Sequence, residues 1–152
     1  HALIMLGPQR ASRVAALLAL TGIHPNESTR HYAVTALTRA LFMGKLTRLG
    51  APAESAAAAF EIGLLSIAPH ALSLPVETLI RKLGLSATSA HALSGHPSPE
   101  GAMLQLAHAA ENNDVETLAT YARQLLDIPL HQISVAYLDA LIAASALDAA
   151  LH

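Results

Sequence analysis

The chain has no cysteine and no tryptophan. Its aromatic residues, all Phe or Tyr, make up only 3% of its 152 residues. Without cysteine there is no disulfide, no thiolate nucleophile and no Cys-based zinc site, which fits a cytoplasmic protein. A hydrophobic fraction of 53% with so few rings requires a core of Leu, Ile, Val and Ala. The length suits one domain, spanning residues 1–152.

Charge is scarce as well: Asp, Glu, Lys and Arg make up 13% of the chain, and the net charge is -2. This is about half the usual charged fraction. The basic residues form no run and no aromatic side chains alternate with them, so we expect no nucleic-acid partner. A surface with so little charge predicts that part of it is covered by a partner protein, an attached domain or a second copy.

Long hydrophobic runs are also missing. The most apolar region, Ala56–Leu74, is interrupted by polar residues and a proline, so it falls short of the ~20 apolar residues of a membrane span. We therefore expect no membrane partner and no signal peptide. The chain begins at His1 rather than at a methionine and opens within the apolar segment Ala2–Leu6, which predicts a fragment of a longer protein.

Helix boundaries are easy to recognise. Gly84 follows an apolar periodic run, and Leu85 stands where a Schellman motif would place a residue that packs on Ile80. Ser98-Pro99 is typical of a helix start, with a capping serine before a proline at the first helical position. The run Asn113–Glu116 resembles a capping box.

Apolar residues recur with the 3.6-residue period of helices in the regions 115–126 and 133–144. No segment alternates with a period of two, and alanine, which is abundant here, is depleted in strands. The sequence predicts an all-α domain, an irregular bundle of about eight or nine helices. We expect the longest helices over Asn26–Leu49 and from Leu130 to the C-terminus.

Residues for catalysis are hard to find. The nine histidines do not form a recognisable ligand set: His91 and His96 lie on either side of a helix end, so their side chains need not converge. His108 and Glu111 share a helical face, but the second pair that a di-iron bundle requires is missing. No Gly-x-Ser-x-Gly elbow or Gly-rich phosphate loop is present. Glu61, alone in an apolar helix, is expected at the edge of the buried face.

The segment Phe60–His70 is the most informative part of the chain. It is predicted to form a buried helix containing Gly63-Leu64-Leu65, followed by Ser66 and Ile67. His70 follows a proline, and His31 lies early in the long helix after Asn26. Taken alone, each of these histidines is an ordinary polar residue near a helix end.

Taken together, these features resemble an HDOD domain, the HD-related output domain of bacterial signalling proteins, and above all the C-terminal part of proteins that join an EAL domain to an HDOD domain. Five stretches, in order along nearly the whole chain, carry the resemblance: Ala2–Gly7 with the Leu-rich Val14–Leu20, Leu37–Met43, Phe60 with Gly63–Ser66, Leu74–Ile80, and Ala107–Glu111 with Asn113-Asp114.

The resemblance implies an HD-like fold without the family's N-terminal helices. It places Ser66 and Ile67 where HD phosphohydrolases have the His-Asp doublet that holds a metal ion, and His31 near the family's first histidine. Serine is a poor neutral ligand and isoleucine has no lone pair, so the site would lack both ligands and charge compensation. Without the ion, water is not activated for attack on a phosphodiester. An EAL domain, if the full protein has one, would lie upstream of these residues.

The primary hypothesis is therefore a non-catalytic regulatory or protein-interaction module of a bacterial signalling protein, with no cofactor, no metal and no catalytic residue. An alternative is a sensory module that binds a small ligand or nucleotide in the remnant pocket, near His31, Ser66 and His70. A third is an active metal hydrolase of different design.

Overall fold

The computed structural model describes the backbone of residues 27–125 and 127–151, and these ranges contain helices and no strand. Seven helices have seven residues or more and one has five: α1 (Glu27–Arg48), α2 (Ala56–Leu65), α3 (Ala68–Leu72), α4 (Val76–Leu83), α5 (Ala87–Leu93), α6 (Pro99–Glu111), α7 (Val115–Leu125) and α8 (Leu130–Leu151). The predicted all-α class is thus confirmed for the described residues. The count of eight or nine helices refers to the whole chain and stays a prediction, as does the HD-like arrangement.

The two longest helices, α1 and α8, lie where the sequence predicts them, within one residue at each described end. They run antiparallel: Lys45 and Arg48 at the end of α1 lie beside His131 at the start of α8, and Phe42 meets Tyr137 one turn further in. These two rings pack edge to face with centroids 5.5 Å apart, a favoured aromatic geometry.

The main core lies between α1, α2, α6 and α8. Its largest fully buried apolar side chains are aliphatic apart from one ring, as the composition requires: Phe42, Met43, Leu46, Ile62, Met103, Leu106 and Ile133. Glu61 is only 1% exposed, so the expectation that it lies at the edge of the buried face is wrong. Its helix is buried over most of its circumference, since α1 contacts it along its length.

Helix α2 crosses α1 at very short range at Gly63. A Cβ atom at this position would lie 2.7 Å from the backbone N and Cα of Ala40, closer than any real contact of that kind. Only glycine therefore lets the two backbones come this close. This contact brings the C-terminal end of α2, and with it Ser66, against the middle of α1.

Three predicted helix boundaries can be compared with the structure. Ser98 caps α6 by accepting a hydrogen bond from the Gly101 N–H at 2.9 Å. Gly84 ends α4 in the left-handed conformation, and the Leu85 N–H donates to the Ile80 carbonyl at 3.2 Å, the Schellman bond. The capping box over Asn113–Glu116 is wrong by one residue.

The helix after Asn113 starts instead at Asp114. The Asp114 carboxylate accepts bonds from the Thr117 N–H at 3.1 Å and from its hydroxyl at 2.6 Å. Asn113 has a φ of 55°, so it serves as the left-handed residue that closes α6, a role that asparagine tolerates well.

The segment Phe60–His70 is not one buried helix, and in this respect the prediction is wrong. Helix α2 ends at Leu65, Ser66 is its C-cap, and α3 begins at Ala68 with Pro69 at its start. Proline has no N–H to continue the hydrogen bonds of a preceding helix, yet it fits the first turn of a new one. Ser66 and Ile67 therefore lie at a helix break.

Helix α8 is unusual in its exposure. The stretch Leu130–Ala150 is long and apolar enough to cross a membrane by length and composition alone, which sequence reading overlooked because Asp139 and Asp148 interrupt its apolar runs. Four residues along α8 are nevertheless buried within the bundle: Ile133, Ala136, Ala140 and Ala144. The predictions on Ala2–Gly7 and Val14–Leu20 lie outside the described residues.

Candidate functional site

Three helices bring polar side chains together at the break after α2. Arg39 comes from the middle of α1, Ser66 from the C-cap of α2, and Glu111 from the last turn of α6. His70 on α3 and His108 on α6 lie beside them, since both enter the same electrostatic neighbourhood. We call these five residues the Arg39 cluster.

The guanidinium of Arg39 is the centre of this cluster. Its Nε donates to Glu111 Oε1 at 2.6 Å, and one terminal nitrogen donates to Glu111 Oε2 at 2.9 Å. The other terminal nitrogen donates to Ser66 Oγ at 3.0 Å. The Arg39 side chain is 10% exposed and that of Glu111 21%. This is the bidentate geometry that makes arginine–carboxylate pairs strong and directional.

Ser66 takes part in the cluster as both acceptor and donor. Its Oγ accepts from Arg39 and donates its own proton to the Gly63 carbonyl at 2.7 Å. A serine nucleophile needs a base to receive that proton, whereas here the proton points at a backbone oxygen one turn earlier. A neighbouring cation and a backbone acceptor thus give Ser66 a structural role that links α1 to α2.

His108 precedes Glu111 by one helical turn and is partly buried. Burial lowers the pKa of His108, the Arg39 guanidinium and His70 lower it further, and Glu111 partly opposes them. The imidazole is therefore held neutral in the fold at neutral pH. A neutral imidazole avoids the electrostatic repulsion that a second positive charge would meet beside the Arg39 guanidinium.

Tyr137 of α8 lies close enough to Glu111 and Arg39 to interact with them electrostatically. Burial raises the pKa of its phenol, and the Glu111 carboxylate raises it further, with a smaller opposing effect of Arg39. The hydroxyl remains protonated, so it contributes no additional negative charge to the site.

The structure brings only part of the sequence-predicted site together. Ser66 lies in the cluster, and His70 is exposed but close enough to influence His108. Ile67 is 7% exposed and packs in an apolar group with Ala36, Ala40 and Leu64. His31 is exposed, with its ring 6.2 Å from that of Tyr32.

The separation of His31 from the cluster follows from helix geometry. His31 precedes Arg39 by eight positions on α1, which is about 12 Å along the axis at 1.5 Å per residue. In the part of the chain that the structure describes, one surface groove lies between α1 and α8 and another between α6, α7 and α8, and neither is lined by His31, Ser66 or His70. A pocket shared by these three residues stays a prediction.

Among the described residues, no group of three His, Asp or Glu side chains is arranged to hold a metal ion. At the position that the resemblance gives to the metal-binding doublet, Ser66 instead binds a guanidinium. Both carboxylate oxygens of Glu111 are already engaged by Arg39. A divalent cation here would face a fixed positive charge and would have to displace this pair.

His91 and His96 do converge, although their positions on either side of a helix end gave no reason to expect it. Their ring centroids are 5.4 Å apart. Both side chains are exposed, and a third ligand does not accompany them in the described part of the chain.

Sequence reasoning missed Arg39 as a site residue. Arg39 entered the sequence analysis only as part of the stretch Leu37–Met43. Glu111 entered it only as a neighbour of His108 and as the end of the stretch Ala107–Glu111. One signal was available, since Arg39 is a cation within a stretch of α1 whose neighbours Ala36, Ala40 and Met43 form a buried face. A cation at such a position needs a buried anion.

Comparison of the chain with protein-family models, with curated proteins and with solved structures finds no match in any of the three.

Proposed function

We propose that this chain is a non-catalytic regulatory module, a helical domain that acts by binding other protein surfaces in a bacterial signalling protein of HDOD type. The observation that carries the proposal is the hydrogen bond from Arg39 to Ser66. An organic cation, neutralised by Glu111, thus binds the residue to which the resemblance assigns a place in the metal-binding doublet.

The chemistry of the cluster supports this reading. The Ser66 proton is directed at a backbone carbonyl, the Glu111 oxygens are both occupied, and the lowered pKa of His108 has burial as its main cause. The groups that would otherwise serve as nucleophile, ligand and base thus hold α1, α2 and α6 together.

Regulation through an attached or separate partner fits the surface. Several large apolar side chains are exposed, most of them on α8, and they offer contact area that a catalytic domain with a single substrate pocket does not require. An EAL domain upstream in the full protein is the partner that the resemblance favours.

A phosphodiesterase assay tests the proposal. The purified chain, supplied with Mn²⁺ or Mg²⁺, is incubated with bis(p-nitrophenyl) phosphate, and release of nitrophenolate is followed. We expect no turnover above that of the metal alone. Metal-dependent turnover that is abolished by His70→Ala or His108→Ala would refute the proposal.

The alternative of a small-ligand sensor is tested by calorimetric titration with nucleotides. Saturable binding that is lost in Ser66→Ala and His70→Ala would replace the interaction module with a sensory one. We expect no heat of binding, because the guanidinium that would recognise a phosphate is already paired with Glu111.

A further inference from the structure

Helix α8 carries its large side chains on the outside. Ile142 is 67% exposed, Leu138 55% and Val135 53%. The residues of α8 that pack against the bundle are mostly small: Ile133, Ala136, Ala140 and Ala144. Exposing the large side chains and burying the alanines sacrifices hydrophobic stabilisation in a monomer, so the exposed side of α8 has the composition of an interface.

The exposed residues also have the spacing of a helix-pairing surface. His131, Val135, Leu138, Ile142, Ser145 and Ala149 follow one another at alternating intervals of four and three residues, and we call this stripe the α8 seam. Its central part has β-branched Val135 and Ile142 at one heptad position and Leu138 at the other, so that apolar residues repeat every 3.5 residues on average, as they do along the contact line of a coiled coil. The stripe is about 27 Å long at 1.5 Å per residue.

The charge of α8 favours a protein helix over an anionic lipid surface as the occupant of the seam. Helix α8 contains no Lys or Arg, and its charged residues are Asp139 and Asp148. A helix that lies in a membrane interface is typically rich in basic residues on its polar face and is drawn to anionic lipids, whereas acidic residues are repelled by them.

A groove with two basic side chains in its lining runs along one side of the seam. This cavity of about 470 Å³ lies between the end of α1 and the start of α8 and is lined by Lys45, Arg48 and Leu49 on one side and Val135 and Asp139 on the other. Among the described residues, no ion pair of Lys45 or Arg48 is found. The groove therefore offers positive charge at the N-terminal end of the seam.

We propose that the α8 seam binds the α8 seam of a second copy of this chain, in an antiparallel dimer. With the twofold axis passing beside Ala140, Leu138 of one copy lies opposite Ile142 of the other. At the ends, Val135 meets Ser145 and His131 meets Ala149, so larger side chains face smaller ones. The seam is thus complementary to itself in this orientation.

Charge favours the antiparallel orientation over the parallel one. The C-terminal end of each α8 carries the negative end of the helix dipole. An antiparallel dimer brings this end over Lys45 and Arg48 of the partner copy. A parallel dimer would bring the two Lys45–Arg48 pairs side by side and the two negative helix ends together.

The dimer is independent of the Arg39 cluster. An active metal centre would refute the proposed function and leave the seam untouched, whereas failure to dimerise would remove the seam proposal and leave the cluster's chemistry as described.

The mass of the full chain in solution, measured by light scattering and sedimentation over a wide concentration range, is the first test. We expect a reversible dimer, whose dissociation constant rises roughly 100-fold or more in Ile142→Glu, because two carboxylates are then buried at the centre of the interface. The matched control is Leu147→Glu, which changes a residue 49% exposed on the side of α8 opposite the seam and should leave the dimer intact.

Since the chain has no cysteine, oxidation can map the orientation. Leu138→Cys mixed with Ile142→Cys should give a covalent heterodimer faster than either variant alone, because residues 138 and 142 face each other only in the antiparallel pair. Circular dichroism confirms that each variant keeps its helices.

Three results would overturn the proposal. One is a chain that stays monomeric at every concentration, whether or not it binds lipid vesicles. Another is a dimer whose dissociation constant is the same in Ile142→Glu and in the unmodified chain. The last is rapid disulfide formation by Leu138→Cys alone, which would indicate a parallel pair.

Discussion

Replacing Glu111 by glutamine removes the counter-charge of Arg39 while keeping the shape of the side chain. Arg39 would retain its bond to Ser66 and one bond to the new amide oxygen, but its positive charge would no longer be neutralised. Because the Arg39 side chain is only 10% exposed, water cannot take the place of the carboxylate without local opening of α1 from α6.

The magnitude follows from the burial of the two partners. Removing one member of a fully buried ion pair destabilises a protein by about 3–5 kcal/mol. Glu111 is itself 21% exposed, and glutamine still accepts one hydrogen bond, so we expect Glu111→Gln to lower the free energy of unfolding by about 2–3 kcal/mol. Ser66→Ala removes one bond to the cation and should lower it by about 1 kcal/mol.

Urea unfolding followed by circular dichroism measures these changes. The control is Glu116→Gln, an exposed carboxylate in the first turn of α7, which should lower stability by less than about 1 kcal/mol through the helix dipole alone. A double-mutant cycle with Arg39→Met isolates the pair. We expect a coupling free energy of about 2 kcal/mol between positions 39 and 111. A coupling below about 0.5 kcal/mol would show that the pair behaves like a surface ion pair and would refute the structural role of the cluster.

Two further predictions concern helix packing and pH. Gly63→Ala should destabilise the protein by about 2 kcal/mol or more, since its Cβ would lie 2.7 Å from the Ala40 backbone. Gly44→Ala, whose Cβ would have nothing within 4 Å, should instead stabilise the protein by about 0.5–1 kcal/mol. Equal effects of the two substitutions on urea unfolding would contradict the close contact. Because burial, Arg39 and His70 lower the pKa of His108 below 6.5, the unfolded chain binds a proton first as the pH falls. The unmodified protein should therefore lose stability below pH 6.5 more steeply than His108→Gln, and parallel losses would contradict the burial of the imidazole.

Much of the fold could be predicted because helix signals are local. The long helices α1 and α8, the cap at Ser98 and the Schellman end at Gly84 each depend on residues within one or two turns. Pro69 is a signal for the helix break after Leu65. The sequence was nevertheless predicted to form one helix, because apolar residues continue on both sides of this single proline. The capping box at Asn113 failed because Asp114 competes for the same role one residue later.

The site was less predictable because it depends on contacts between distant residues. Arg39 and Glu111 are 72 positions apart in the chain, and no local pattern connects them. Ser66 was singled out for what it lacks as a metal ligand, and its bond to Arg39 explains what it does instead. Periodicity in the region 133–144 indicated a helix, but it gave no reason to expect that Val135, Leu138 and Ile142 would be exposed, because a periodic pattern alone does not say which side of a helix meets the bundle.

The most direct test is a calorimetric titration of Mn²⁺ into the metal-stripped chain at neutral pH. It asks whether a guanidinium has taken the place of a metal ion beside Ser66. We expect no saturable binding, in the unmodified chain and in His70→Ala alike. Binding of one Mn²⁺ per chain that weakens in His70→Ala or His108→Ala would contradict this, because the ion could bind there only by displacing the Arg39–Glu111 pair.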